Sequence, residues 1–319
     1  MNYFYYPGCS LEGTAQEYDV STRALFAALG VDLTEVEGWT CCGAGAAESV
    51  SRLLALTLPA RNLALIEKTG SDADLLVPCS ACYLNLKKAA ETVKSGSDTA
   101  QKINEALSVE NLSVSGKTRV RHLLDVLIRD IGPEVIHGHT VYPLSRLRVA
   151  PYYGCQCLRP YAVFDDPERP CSMSTLLTAA GARMLDWHMG GICCGASQTQ
   201  TKPENGIRLT AAILREAREV DAIVTVCPMC QMNLAAFQAA ASRMDPLVRP
   251  IPVLFLPQVL GIALGIELAD LRLDANLSVT REFTEKLMAD RVPVAHSPLE
   301  GRLKGGVNTK SNSPVQGES

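Results

Sequence analysis

The arrangement of cysteines constrains this chain more than any other feature. Twelve are spread over 319 residues, and ten of them fall into two matching sets. In the first, Cys9 is followed after 31 residues by Cys41-Cys42, and after a further 36 by Cys79-x-x-Cys82. In the second, Cys155 is followed after 37 residues by Cys193-Cys194, and after a further 32 by Cys227-x-x-Cys230. The flanks repeat too. Tyr6-Pro7-Gly8-Cys9 answers Tyr153-Gly154-Cys155, and Gly43 and Gly195 follow the two adjacent pairs. Asn85 and Asn233 each lie three residues beyond their CxxC, and residues 120–132 have a counterpart in 253–265. The chain therefore reads as two copies of one unit of roughly 140 residues.

Composition narrows the setting. With 47% hydrophobic and 20% charged residues, there is enough apolar material for a core, which excludes wholesale disorder. A net charge of −4 supplies no basic face for nucleic acid. The most apolar stretch, 251–266, is broken by Pro252, Pro257, Gln258 and two glycines, so no membrane span is expected. The first residues carry neither a basic nor an apolar leader segment, so the expected location is the cytoplasm. In that reducing compartment, clustered cysteines serve as metal ligands or redox groups more often than as structural disulfides.

Each copy alternates strand-like and helix-like runs. Strands are expected at 3–6, 31–36 and 75–77, with helices over 14–29, 43–69 and from the first CxxC to about Val93. The second copy follows with strands at 147–153, 183–187 and 222–226, and helices at 171–180, at 203–219 and after Cys227. This order predicts an α/β fold: two tandem pseudo-twofold-related domains, each a small, mainly parallel sheet with flanking helices. The expected divisions are 1–147 (first domain plus linker), 148–291 (second domain) and 292–319, a polar tail expected to be disordered. Residues 95–118 and 133–147 read as irregular linkers. The cysteines fall just after strand ends or at helix starts, where loops from distant segments converge.

Five thiols per copy admit several chemistries. Zinc takes four tetrahedral ligands, and an adjacent Cys-Cys does not readily place both sulfurs on one small ion. An iron–sulfur cluster has several irons and accepts ligands spread over a larger volume. The spacing favours iron–sulfur, with zinc in one repeat and dithiol exchange as alternatives. Five exceeds the four ligands of an ordinary cubane, so either one thiol is spare or the cluster is of another kind.

The complete double pattern, C-x31-CC-x36-CxxC followed by C-x37-CC-x32-CxxC, resembles the duplicated cysteine-rich CCG domain that marks the B subunit of heterodisulfide reductase and its relatives. The resemblance covers roughly residues 1–270. It implies that Cys9, Cys41, Cys42, Cys79 and Cys82 bind one noncubane [4Fe–4S] cluster, and Cys155, Cys193, Cys194, Cys227 and Cys230 a second. It further implies that the clusters face each other across the pseudo-twofold axis with a disulfide between them. Each cluster then supplies one electron and binds one substrate sulfur. The implied enzyme is an oxidoreductase acting on sulfur groups. Its electrons are exchanged with two partners, an iron–sulfur C subunit that connects in turn to a flavin A subunit. The implied substrate is the coenzyme M–coenzyme B heterodisulfide or, in a bacterial complex of this type, another thiol such as a lipoyl-linked one. Similar domains also occur in electron-transfer subunits of succinate or fumarate reductases and glycolate oxidases, which gives the alternative function.

A few residues stand outside this pattern. Cys157 and Cys171 have no partner in the first copy and read as packing or surface thiols. Cys157 is also close enough in sequence to Cys155 for a supporting role. His188, five residues before Cys193, is a candidate proton donor. His122, His137, His139 and His296 read as structural or solvated. Arg159, Lys202 and Arg208 read as a solvated face, with steering of an anionic substrate as the sharper alternative. Gly8, Gly154, Gly43 and Gly195 are expected to permit close backbone approach.

Overall fold

The computed structural model describes residues 1–293. The tail expected from 292 thus lies, but for its first two residues, outside the described residues, as does His296. Eight strands form two sheets of four. The first contains β1 (Asn2–Tyr5), β2 (Asp32–Glu35), β3 (Leu75–Val77) and β4 (Val120–His122), in the order β2-β1-β3-β4. The second contains β5 (Arg148–Tyr152), β6 (Arg183–Met184), β7 (Ala222–Thr225) and β8 (Val253–Phe255), in the order β6-β5-β7-β8. All pairings are parallel. The α/β class and the duplication follow the sequence expectation.

Helices on both faces explain the strand composition. β3 and β7 are central and wholly buried, and each reads as a continuous apolar run rather than an alternating one, as doubly covered parallel strands do. The sequence pattern does not assign the fourth strand of either sheet. β4 and β8 are three residues each, too short to show a period. The register Val77↔His122 and Thr225↔Phe255 makes His122 and Phe255 equivalent positions.

Two other expectations need correction. The first supposed linker contains the helix Asp98–Ser108, which buries Ala100, Ile103 and Leu107. The second contains the helix Pro133–His139. Both segments look polar because only one helical face is apolar. The run 43–69 is also not one helix. It breaks at Ser51, whose extended backbone caps the following helix Arg52–Lys68 and whose hydroxyl accepts from Leu54 N–H.

The two halves exchange helices. Helix Gln16–Ala28, which follows β1, packs on Leu256–Leu264, which follows β8. Reciprocally, Ser172–Ala179, which follows β5, packs on the helical segments after β4. Leu256–Leu264 is buried on all sides. The Tyr18 ring stacks on Phe255 with centroids 4.1 Å apart. One apolar cluster therefore runs through both copies, and a second lies within the second copy.

Candidate metal centre

In each sheet, the first strand has neighbours reached by connections running in opposite directions. This places a topological switch point between β1 and β3, and another between β5 and β7. The carboxyl ends of strands at such a point open a crevice. Cys9 leaves β1 at the start of the short helix Gly8–Glu12. Cys41-Cys42 occupies the loop after β2, and Cys79 caps the helix Ser80–Lys94, whose first turn carries Cys82. Cys155, Cys193-Cys194, Cys227 and Cys230 take the corresponding places around β5, β6 and β7, with Cys227 capping Pro228–Ala236.

The structure thus gathers each predicted set at one crevice. In the first, Cys41 Sγ lies 3.8 Å from Cys9 Sγ, and Cys42 Sγ lies 3.3 Å from Cys82 Sγ. In the second, Cys194 Sγ lies 3.7 Å from Cys230 Sγ. All twelve cysteines are free thiols. Burial is partitioned alike. Cys42, Cys79 and Cys82 are buried while Cys9 and Cys41 are exposed. Cys194, Cys227 and Cys230 are buried, with Cys155 half-buried and Cys193 exposed. Each set keeps three sulfurs inside and presents two outward.

Both adjacent-pair loops are held by the same devices. Gly43 N–H donates to Cys41 Sγ at 3.5 Å, and Gly195 N–H to Cys193 Sγ at 3.4 Å. The Tyr6 hydroxyl donates to Thr40 O, the carbonyl before Cys41, at 2.7 Å; the Tyr152 hydroxyl donates to Ile192 O, before Cys193, at 2.5 Å. Asn85 Nδ2 donates to Cys42 O at 3.0 Å, and Asn233 Nδ2 to Cys194 O at 2.9 Å. The repeated asparagines of the sequence are therefore loop clamps. The second clamp is more elaborate. Asn233 also donates to Thr210 Oγ1 and accepts from Thr199 Oγ1, both at 2.8 Å.

The donor set suits a bulky thiolate-bound group. Gly8 and Gly154 have φ of +73° and +71°, and a Cβ on either would stand 2.9 Å from Cys82 Sγ or Cys230 Sγ. Only glycine tolerates both that backbone and that contact. Among contacting thiols, hydrogen bonds hold one partner's pKa down and push the other's up. Cys42 is lowered by Cys41 and Cys82, Cys193 by Cys155, and Cys227 by Cys230. Cys82, Cys155 and Cys230 are raised by the same pairings and by burial. Lowered thiols supply the thiolates that bind metals. Among the described residues, no three His, Cys, Asp or Glu side chains close on a single ion-sized point.

The remaining candidates fall elsewhere. His188 is exposed and lines a cleft of about 590 Å³ with Tyr153, Trp187, Gly190 and Gly191, beside the segment leading to Cys193. On the first copy, Cys9 and Cys41 themselves line an open cleft with Glu12, Glu35, Glu37 and Trp39. Arg159 does not face solvent as a free cation. It donates to Gly191 O at 3.0 Å, to Pro167 O and to Glu168, pinning the insertion that follows Cys155. Lys202 and Arg208 are exposed. Cys171 is exposed, whereas Cys157 is buried with its thiol donating to Tyr153 O at 3.2 Å.

Sequence reasoning missed a buried polar seam between the two sets. The Tyr18 hydroxyl lies 3.0 Å from Pro78 O and 3.1 Å from Val226 O, the carbonyls that precede Cys79 and Cys227. Ser80 Oγ also donates to Val226 O, at 3.2 Å, and stands 3.2 Å from His122 Nε2. Nothing in the spacing announces Tyr18, because it acts across 60 and 208 residues of sequence.

Fold and site together define a duplicated, thiol-rich α/β protein with two equivalent cysteine-lined crevices. The chain belongs to the CCG cysteine-rich domain family, whose model matches residues 3–87 and 149–235. It is 36% identical over 86% of its length, and 95% of the relative's, to the 8-methylmenaquinol:fumarate reductase membrane anchor subunit of Wolinella succinogenes. It is 31% identical to a protein of Archaeoglobus profundus described as like the B subunit of heterodisulfide reductase, over 84% of this chain and 92% of that one. It is 30% identical to the B subunit of the ferredoxin/F(420)H(2)-dependent CoB-CoM heterodisulfide reductase of Methanosarcina acetivorans, over 88% and 95%. A hypothetical protein from Helicobacter pylori shares the fold, with a TM-score of 0.70 at 17% identity over 88% of this chain and 52% of that one. Among the described residues, no helix is long and apolar enough to cross a membrane.

Proposed function

We propose that the chain is the sulfur-handling subunit of a heterodisulfide-reductase-like complex, with each five-cysteine set holding one noncubane [4Fe–4S] cluster. The observation that carries this reading is the completeness of both sets at equivalent crevices, each with three sulfurs inside and two outward. A degenerate copy would have lost ligands. When bound, the clusters supply single electrons at two neighbouring sites. A disulfide has two sulfurs and takes two electrons and two protons to become two thiols, which is a chemical reason for keeping both copies intact.

The chain's own groups supply the setting. The Tyr6, Tyr152, Asn85 and Asn233 clamps fix the adjacent-pair loops. Gly8 and Gly154 clear space over the buried sulfurs. His188, at the mouth of its cleft, is the proposed proton carrier for released thiol. The proposed partners are an iron–sulfur C subunit together with a flavin A subunit, in the cytoplasm.

A second reading is an electron-transfer subunit of a fumarate-reductase-type complex without disulfide chemistry. The relative from Wolinella succinogenes favours it. Metal and sulfide analysis of anaerobically purified protein, with electron paramagnetic resonance after adding thiol and oxidant, tests the proposal. About eight irons per chain and a thiol-dependent signal support it. Eight irons with no response to any thiol favour the second reading. About four irons with one zinc refute the paired-cluster mechanism.

A further inference from the structure

The two cysteine sets meet at one side chain. Pro78 and Val226 are equivalent positions, each the residue between a central strand and the cysteine that caps the next helix. Their carbonyls lie 3.0 and 3.1 Å from the Tyr18 hydroxyl. An atom almost equally far from two equivalent atoms stands midway between the copies that carry them. Tyr18 belongs to the first copy, and the corresponding helix of the second, Ser172–Ala179, has no tyrosine to match it.

The ring is held rigidly. Tyr18 is fully buried and stacks on Phe255 with the planes 3° apart, while its helix packs on Leu256–Leu264. The hydroxyl cannot follow one carbonyl away from the other. A phenol also has only one proton to give. Ser80 Oγ is a second donor to Val226 O, at 3.2 Å. Pro228 takes the place of Ser80 in the second copy and has no hydroxyl to return to Pro78 O. The arrangement that satisfies both acceptors puts the Tyr18 proton on Pro78 O and the Ser80 proton on Val226 O. A shift at either strand end changes which carbonyl the phenol serves, so one proton links the backbone of both sites. Such a shared contact with two arrangements is a physical means of coupling.

We propose that Tyr18 is a positioning residue that couples the two sites. It ties the backbone ahead of Cys79 to the backbone ahead of Cys227, so a change at one site is felt at the other. The inference rests on the two-cluster reading above, in which one disulfide needs two sites at a fixed separation. A hydrogen bond of ordinary net strength corresponds to a coupling of about fivefold in an equilibrium constant, or about 40 mV for a one-electron step.

The test is a double-mutant cycle on the full chain, read by anaerobic redox titration with electron paramagnetic resonance. Cys42→Ala perturbs the first site, and the second-site midpoint potential is measured in wild-type and Tyr18→Phe backgrounds. Phenylalanine keeps the ring and its stacking and loses only the hydroxyl. Charge acting through space is common to both backgrounds and cancels. The shift caused by Cys42→Ala is expected to differ by about 40 mV between them, which a purely structural role for Tyr18 would not produce. Equal shifts, with about eight irons in the wild-type chain, overturn the inference and spare the reading beneath it. Should Tyr18→Phe load poorly, the metal-free protein decides. There Gly154→Ala, whose Cβ crowds Cys230 Sγ, is expected to change the iodoacetamide alkylation rate of buried Cys79 about fivefold in the wild-type background and not after Tyr18→Phe. The same rate change in both backgrounds, or none in either, overturns the inference. Wild-type protein well short of eight irons refutes the two-cluster reading itself, and the inference with it.

Discussion

The two asparagine clamps offer an internal comparison within one molecule. Asn85 makes one hydrogen bond to its loop, Asn85 Nδ2 to Cys42 O, and is only partly buried. Asn233 is buried and makes three such contacts, to Cys194 O, Thr210 Oγ1 and Thr199 Oγ1. A net hydrogen bond contributes about 1 kcal/mol, and a buried polar partner left unsatisfied costs about 1–3 kcal/mol. Asn85→Ala should therefore cost about 1 kcal/mol and Asn233→Ala about 3 kcal/mol. Cys194 O keeps Thr210 as a donor, which limits the second figure. Unfolding entropy near 2.1 cal/mol/K per residue gives about 0.7 kcal/mol/K for a chain of this length, so the expected falls in Tm are about 1.5 °C and about 4–5 °C. Calorimetry of the anaerobically purified variants reads this difference, and iron content should fall at the mutated site only. Equal Tm losses would refute the argument that burial and bond count set the rigidity of these loops.

Three further outcomes are expected. Cys42→Ala and Cys194→Ala should each lose about half the iron while the other site's signal persists; an unchanged iron count in both would sink the five-ligand assignment. Gly154→Ala should cost about 1–3 kcal/mol from its left-handed backbone and displace Cys230, so that denaturant unfolding and iron analysis both report a second-site defect; Gly8→Ala is its mirror at Cys82. For His122, the folded pKa of about 3 lies below the ordinary value near 6.5, so the unfolded chain binds the proton more readily. Stability is then full above about pH 6.5 and declines as pH falls towards about 3. His122→Phe, which copies Phe255, should flatten that part of the stability profile in a pH series of denaturant melts.

The legibility of this chain divides along a physical line. The cysteine sets, the glycines beside them and the alternation of strand and helix depend on local spacing, and the structure assembles them as the spacing implies. Cys9, Cys41, Cys42, Cys79 and Cys82 come to one crevice because each follows a strand end or opens a helix. β4 and β8 escape a sequence reading because three residues carry no measurable period. Asp98–Ser108 escapes it because its buried face is only Ala100, Ile103 and Leu107 among polar neighbours. Arg159 reads as a surface cation because its carbonyl partners, Gly191 and Pro167, are set by a loop fold that no pattern encodes. Tyr18 and Ser80 lie beyond reach for a different reason. Both reach the same backbone carbonyl of the other copy, Val226 O, and a carbonyl has no sequence signature.

Duplication also explains where the copies differ. The cysteine-bearing loops are alike down to the tyrosine, glycine and asparagine around them. The seam cannot stay alike, because each copy there packs against the other rather than against itself. Between Cys155 and the next long helix the second copy has residues 156–171 where the first has only 10–15, and this longer segment reaches back onto the first. Phe164 stacks on His122 with centroids 5.8 Å apart, Lys87 lies 6.0 Å over the Tyr161 ring, and Arg129 bonds Val163 O. This segment thus shields His122 from water and helps to keep it neutral. A symmetric seam would place equivalent donors opposite each other, and two hydroxyls would compete for carbonyls that Tyr18 already serves. Breaking the symmetry at Ser80/Pro228 and His122/Phe255 removes that competition and leaves one directed contact between two otherwise matched sites.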